Sequence, residues 1–512
     1  MKHLWILILA APFAFAQQPV LVDTGTGTLQ GFVAASSSGV RTFRNIPFAA
    51  PPTGGNRWRA PQPVTPWAEP RDATSWGPVC PQQQATDRVI GDEDCLQLNV
   101  WTPDTTGPKR PVLVWIHGGG HVQGGAPFEQ AGTRIYDGER LAAKSGIVVV
   151  TINYRLGPLG YLALPAFNDP DTGASSGNLG TLDQIAALQW VQQNITAFGG
   201  DPARVMIAGE SAGGVSVCSL IASPQAAGLF HSAAIQSGGC VARTRESAES
   251  FGDKFTQAAG CADAPDVAAC LFDKPAGELV SALDTGFNIA TESGDYNSVI
   301  DGVVQPRAPL DSIRRNEHNP VPVIIGNNDD ETSRSVPPIA TEAEYEALVR
   351  RTFPAIGNLV LQTYPASAYS SPRAAFAAVT SDSRFICPST YAVATLRDAQ
   401  SEPVYRYHFD FVPESANALL RPLGTWHGLD VLYLFESLNG IAGYRPSPAD
   451  LAVASEFAHY WTSLAAGMPL EPDWPASGAG DPYLLLNAKP SIQQGVRAAQ
   501  CEFWLSLIDR NP

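Results

Sequence analysis

Two segments of the chain bring together the residue types that acyl transfer needs. Gly209-Glu210-Ser211-Ala212-Gly213-Gly214 sets a serine between small residues two places to either side. In a sharp strand-to-helix turn that spacing makes a hydroxyl project, because a Cβ at either flank would collide with neighbouring backbone. A second match to the pattern, Gly173-Ala174-Ser175-Ser176-Gly177, follows the turn-rich Asn168-Asp169-Pro170-Asp171 and has no strand leading into it, so Ser175 reads as loop. His117-Gly118-Gly119-Gly120-His121 closes an apolar run. Three glycines there let backbone N–H groups face a carbonyl oxygen on which negative charge develops. A zinc site on His117 and His121 would need them on one helix face, and consecutive glycines are among the poorest helix formers.

A nucleophilic serine requires a base, and the base requires a carboxylate to orient it. Of eight histidines, His427 has the most suitable setting, the loop Gly424-Thr425-Trp426-His427-Gly428 between a strand and a helix-like segment. His117 and His121 flank the glycines, His231 precedes a strand, His318 sits in a polar turn, His408 in the strand-like Tyr405 to Phe409 and His459 on a helix; each reads as structural. Three acids, Asp329, Asp330 and Glu331, follow an apolar strand at 321–325, and spacing does not choose among them.

These groups need elements to carry them. Pro111 to Ile116 and Ile147 to Ile152 are continuous apolar runs, as strands buried on both faces would be. Apolar residues at 182, 185, 186, 190 and 191 recur at helical spacing until Gly199-Gly200-Asp201-Pro202 ends the segment, and Arg204 to Ala208 is the next strand. Ser447-Pro448-Ala449-Asp450 opens a late helix with a hydroxyl cap, a proline in the first turn and an acid. Alternating strands and helices predict an α/β chain with a large, mostly parallel sheet covered by helices on both faces, its chemistry at the carboxyl ends of the strands. The order of serine, acid and histidine is the order used by α/β hydrolases.

The 512 residues carry 33 Lys plus Arg against 49 Asp plus Glu, a formal charge of −16, with 44% hydrophobic residues. That is material for a packed core, and the negative charge, with no basic cluster, argues against nucleic acid or anionic membrane surfaces as partners. No linker, charge block or repeat divides the chain, so residues 17–512 are expected to form one domain. Met1 to Ala16 reads as a secretory signal peptide: a basic start, an apolar run too short to span a bilayer, and Ala14-Phe15-Ala16 as cleavage signal. The C-terminal segment has no anchor signal, so the expectation is a secreted protein, extracellular or periplasmic, without a membrane anchor. In an oxidising compartment the eight cysteines, at 80, 95, 218, 240, 261, 270, 387 and 501, favour disulfides, and the close pairs 80/95 and 261/270 would staple short loops, although spacing alone leaves connectivity open. Asn194-Ile195-Thr196 is the one glycosylation sequon.

Taken together, Phe43 to Phe48, Glu93-Asp94-Cys95-Leu96, His117 to Gly120, Asn153-Tyr154-Arg155, Gly209 to Gly214, Gly326 to Glu331, His427-Gly428 and Cys501-Glu502-Phe503-Trp504 resemble the type-B carboxylesterase/lipase family, the cholinesterase-like branch of the α/β hydrolases. The resemblance implies a serine carboxylic ester hydrolase acting on small-molecule esters without a cofactor or metal. It assigns nucleophile, acid and base to Ser211, Glu331 and His427, and the oxyanion-binding N–H groups to Gly119, Gly120 and Ala212. It implies disulfides joining Cys80 to Cys95, Cys261 to Cys270 and Cys387 to Cys501, leaves Cys218 and Cys240 either paired or reduced, and makes Arg44 with Glu93 a buried ion pair. The 81–94 interval lacks the aromatic residue that holds choline in cholinesterases, and it is too short and polar for the apolar lid of the family's fungal lipases. Soluble esters are therefore expected over choline esters or emulsified glycerides. The alternatives are a lipase acting on longer-chain glycerides and a non-catalytic binding module of the same fold.

Overall fold

The computed structural model describes residues 19–34, 38–85, 88–103, 107–168, 176–283, 288–291, 296–414 and 420–508. The leader Met1 to Ala16 and Ser175 of the second serine motif lie outside them.

One sheet organises these residues. Its strands are β1 (Pro19–Thr24), β2 (Gly27–Val33), β3 (Arg41–Pro47), β4 (Gln97–Thr102), β5 (Arg110–Ile116), β6 (Val148–Ile152), β7 (Gly200–Glu210), β8 (Ser232–Gln236), β9 (Val323–Asn328), β10 (Val404–Phe409), β11 (Pro482–Leu486) and β12 (Ser491–Gln494). Their spatial order is β1-β2-β3-β4-β6-β5-β7-β8-β9-β10-β11-β12, with a short strand, Arg71–Asp72, beside β2. Pairing is parallel from β6 through β11 and antiparallel at both edges.

The apolar runs become central strands because both faces of each residue pair find a core. Along β5, Val112, Val114 and Ile116 point into one hydrophobic cluster while Leu113 and Trp115 point into the other, all completely buried. The first cluster takes in Ile185, Leu188 and Val191 of helix α1 (Leu179–Asn194) and Val217 and Leu220 of α2 (Ala212–Ala222). The second takes in Leu432 of α3 (Leu429–Leu434) and Phe457 and Trp461 of α4 (Pro448–Ala465). The expected stop and start signals appear in place. After α1 a 3-10 turn, Ile195–Phe198, leads to Gly199 at φ 79°. The Ser447 hydroxyl accepts from the Asp450 N–H while the Asp450 carboxylate accepts from the Ser447 N–H, a complete capping box on α4.

Register brings the carboxyl ends of the central strands level: Ile116 pairs with Gly209, Glu210 with Gln236, and Gln236 with Gly326. The triglycine segment, Ser211 and the acidic segment therefore leave the sheet side by side.

One sequence expectation fails here. Glu93 pairs not with Arg44 but with Arg57, whose Nε and Nη2 each lie 2.6 Å from a carboxylate oxygen. Arg57 follows a 3-10 turn, Gly54–Asn56, that aims it inward, and its Nη1 also donates to the carbonyls of Phe272 and Lys274. Arg44 sits on β3, where its guanidinium lies 4.1 Å from the Trp76 ring centroid and 3.7 Å from Asp137. A deeper ion pair was not anticipated: Arg155 grips Asp183 with Nε and Nη2 at 2.8 and 2.7 Å.

Four disulfides join Cys80–Cys95, Cys218–Cys240, Cys261–Cys270 and Cys387–Cys501. Cys218 on α2 and Cys240 just past β8 are thus partners. The sequon residue Asn194 is buried, its amide nitrogen donating to the Trp190 carbonyl and its oxygen accepting from the Gly25 N–H, so folding occupies the group a glycan would need. Among the described residues no helix is long and apolar enough to cross a membrane.

Candidate active site

Ser211 stands at the tip of the turn between β7 and α2, with φ 57° and ψ −125°, a conformation costly for any residue with a side chain. Its neighbours explain why it is tolerated. A Cβ on Gly213 would lie 2.0 Å from the Ile116 carbonyl, and one on Gly209 would lie 2.5 Å from the Gly213 backbone, so strand, turn and helix can close only with hydrogen at both places. The Ser211 N–H donates to the Gln236 carbonyl at 2.9 Å, which ties the tip to β8. As the first residue of α2, Ala212 has an N–H with no acceptor in its own helix.

The triglycine bend passes directly in front. Gly119 has φ 107°, open only to glycine, and a Cβ there would come within 2.2 Å of the Gln123 carbonyl. The two flanking histidines are pillars beneath it. His117 stacks on Tyr154 at 4.4 Å and hydrogen-bonds the Gly118 carbonyl, while Nε2 of His121 lies 3.1 Å from the Ser216 hydroxyl on α2. Burial holds both imidazoles down at about 4, hence neutral. Gln82 in the 81–94 interval is also committed to the bend: its amide donates to the Gly124 carbonyl at 2.7 Å and accepts from the Gly124 N–H at 2.8 Å. Gln82–Ala85 pairs with Arg88–Ile90 as a small hairpin.

The three acids after β9 separate cleanly. Asp329 turns away from the cavity to His408 and Arg497, at 2.8 and 2.7 Å. Asp330 accepts from the Thr425 N–H at 3.1 Å and so braces the histidine loop. Glu331, completely buried, accepts from His427 Nδ1 at 2.6 Å. Its other oxygen accepts from the Ser237 hydroxyl at 2.5 Å and the Asn328 N–H at 2.9 Å, and the His427 N–H donates to the Glu331 carbonyl at 3.1 Å. A carboxylate can only accept, so the neutral imidazole carries its proton on Nδ1 and leaves the Nε2 lone pair free.

Glu210, the residue between the glycine and serine of the turn, was not anticipated as a site residue. Its Oε1 lies 3.1 Å from His427 Nε2, without the alignment of a hydrogen bond. Burial pushes its carboxyl up to about 8, against the pull of His427 and helped by Asp430 and Glu331. Burial alone would lower the His427 imidazole, but Glu210 and Glu331 raise it to about 9. The signal for Glu210 was its place beside the serine; Ser237, at the end of β8, had no sequence signal beyond the glycines after it.

Ser211, His427, Glu210 and Gly118 to Gly120 all line one cavity of about 260 Å³, walled on its apolar side by Phe128, Ile135, Tyr136, Trp426, Val431 and Leu432. Among the described residues no cluster of His, Cys, Asp and Glu could hold a metal ion.

The carboxylesterase family model matches residues 18–504. The chain belongs to the carboxylesterase family. It is a carboxylic ester hydrolase of the serine type, and its sheet is the family's α/β-hydrolase fold. Similar proteins include a cocaine esterase of Oryctolagus cuniculus, 33% identical over 94% of this chain and 94% of its own. A para-nitrobenzyl esterase of Bacillus subtilis is 35% identical over 82% of this chain and 84% of its own, and a liver carboxylesterase of Sus scrofa is 32% identical over 98% and 96%. In this carboxylesterase Ser211 and His427 line the same cavity.

Proposed function

We propose that this carboxylesterase is a secreted enzyme that hydrolyses soluble carboxylic esters through an acyl-enzyme on Ser211, with residues 17–512 as one catalytic domain behind a cleaved leader. The observation that carries the reading is the buried Glu331–His427 hydrogen bond at 2.6 Å, which leaves Nε2 of the imidazole free at a cavity that Ser211 also lines.

In the first half-reaction the Ser211 oxygen attacks the ester carbonyl and its proton passes to His427 Nε2. The oxyanion is held by the N–H groups of Gly119, Gly120 and Ala212. The carbonyl re-forms, the C–O bond to the alcohol breaks, and the imidazolium returns the proton to the departing oxygen. Water then repeats the sequence on the acyl-enzyme, with His427 again as base, and releases the acid. Glu331 keeps the imidazole in the correct tautomer and stabilises its charged form. Four disulfides support export, and the short Gln82 hairpin, pinned to the triglycine bend, supports soluble esters over an interfacial lid.

A fluorophosphonate probe should label the wild-type protein once per chain, and Ser211→Ala should abolish labelling and lower kcat by about 10⁶-fold. Labelling that survives in the alanine variant would reject Ser211 as nucleophile. An unlabelled wild type would favour a binding module instead, and faster turnover of long-chain emulsions than of short soluble esters would favour a lipase.

A further inference from the structure

Most arginines around the site are committed to the fold: Arg155 to Asp183, Arg57 to Glu93, Arg497 to Asp329, and Arg373 to the carbonyls of Ser333 and Val336. Arg334 is different. It lines the catalytic cavity three residues after Glu331, is exposed, and no carboxylate among the described residues pairs with it. Its guanidinium rests instead over Trp426, 5.7 Å from the ring centroid, and Trp426 is buried and adjacent to His427. A guanidinium lying on an aromatic face keeps the N–H donors at its edge available, and a carboxylate is the acceptor that matches two of them at once.

From this we infer that Arg334 is a specificity-determining residue which selects esters carrying a second, ionised carboxylate, such as half-esters of dicarboxylic acids or esters of hydroxy acids. The inference rests on the serine-hydrolase reading above and names the substrate class for it. Two further observations agree with it. The chain as a whole carries a charge of −16, a field that repels anions, so an anionic substrate needs a local cation to be held. The other carboxyl facing the cavity, Glu210, is turned to His427, its Oε1 3.1 Å from Nε2, and so is answered by the imidazole rather than set against a bound anion. Gln123, also on the wall, adds an amide to the cavity without adding charge.

The test compares each anionic ester with its neutral amide: monophenyl succinate with phenyl succinamate, which puts the charge on the acyl half, and para-acetoxybenzoate with para-acetoxybenzamide, which puts it on the alcohol half. For at least one pair, wild-type kcat/KM should favour the carboxylate by about tenfold or more, as a charge-assisted hydrogen bond would give. In Arg334→Gln that ratio should fall toward one, and Arg334→Lys should keep part of it. Raising the salt concentration should erode the wild-type preference, a measurement that needs no variant. A wild-type ratio near one for both pairs, a preference indifferent to salt, or an unchanged ratio in Arg334→Gln would overturn the inference while leaving the hydrolase reading intact. Failure of the wild type to release phenol from any of the four esters would instead overturn the hydrolase reading, and this inference with it.

Discussion

Glu210 and His427 face each other across 3.1 Å, and their protons cannot be treated separately. A negative charge on Glu210 favours the imidazolium, whereas His427 as the proposed base must be neutral to accept the Ser211 proton. The acid limb of the kcat/KM profile should therefore follow the raised titration of His427, with activity falling as pH drops through it. Glu210→Gln removes the charge that Glu210 supplies, so His427 should lose its proton at lower pH. The acid limb should move down by about one pH unit, with Glu331 still holding the ring. A limb that stays in place or moves upward would show that Glu210 does not act on the base. The same scale shows what neighbouring residues of one type can conceal. Asp329, Asp330 and Glu331 are consecutive and chemically alike, yet one serves an arginine, one a loop N–H and one the imidazole. Resemblance to the family pointed to Glu331, but the residues alone left all three open, because direction out of a turn depends on what packs against each side chain.

At the scale of elements, the turn that presents Ser211 is a close-packed joint between β5, β7 and α2. Gly213→Ala would push a methyl to 2.0 Å from the Ile116 carbonyl, at the root of the triglycine bend. The expected result is a folded protein with kcat lowered at least 10²-fold, since misplacement by about 1 Å costs that much; near-normal kcat would mean the joint yields more than its packing suggests. The Arg155–Asp183 pair, with side chains 3% and 0% exposed, anchors α1 to the loop after β6. Asp183→Asn leaves the guanidinium buried against a neutral partner and should cost roughly 3–5 kcal/mol, measured by denaturant unfolding. A loss under about 1 kcal/mol would place the pair with ordinary surface bridges.

For the whole molecule the disulfides differ in reach. Cys387–Cys501 spans 114 residues and fastens the C-terminal helix Ala498–Ile508 to the body, whereas Cys261–Cys270 spans 9. On the chain-entropy model, removing the long link should cost about 5 kcal/mol and the short one about 2.6 kcal/mol. Paired cysteine-to-alanine variants compared by unfolding midpoint would test the ranking, and equal losses would show that local strain or residual structure outweighs chain entropy. What this sequence determined by itself is what short-range physics decides: apolar runs that must be strands buried twice over, the Ser447 cap, and glycines spaced so that Ser211 could stand in a left-handed turn. What only the tertiary structure decided is which long side chain meets which partner. Arg57 rather than Arg44 reaches Glu93, Cys218 finds Cys240, Glu210 faces His427, and Arg334 lies over Trp426. Spacing along a chain sets the periodicity of an element, but an arginine or a glutamate reaches several ångströms in any direction, and the packing of distant loops selects among the partners within that reach.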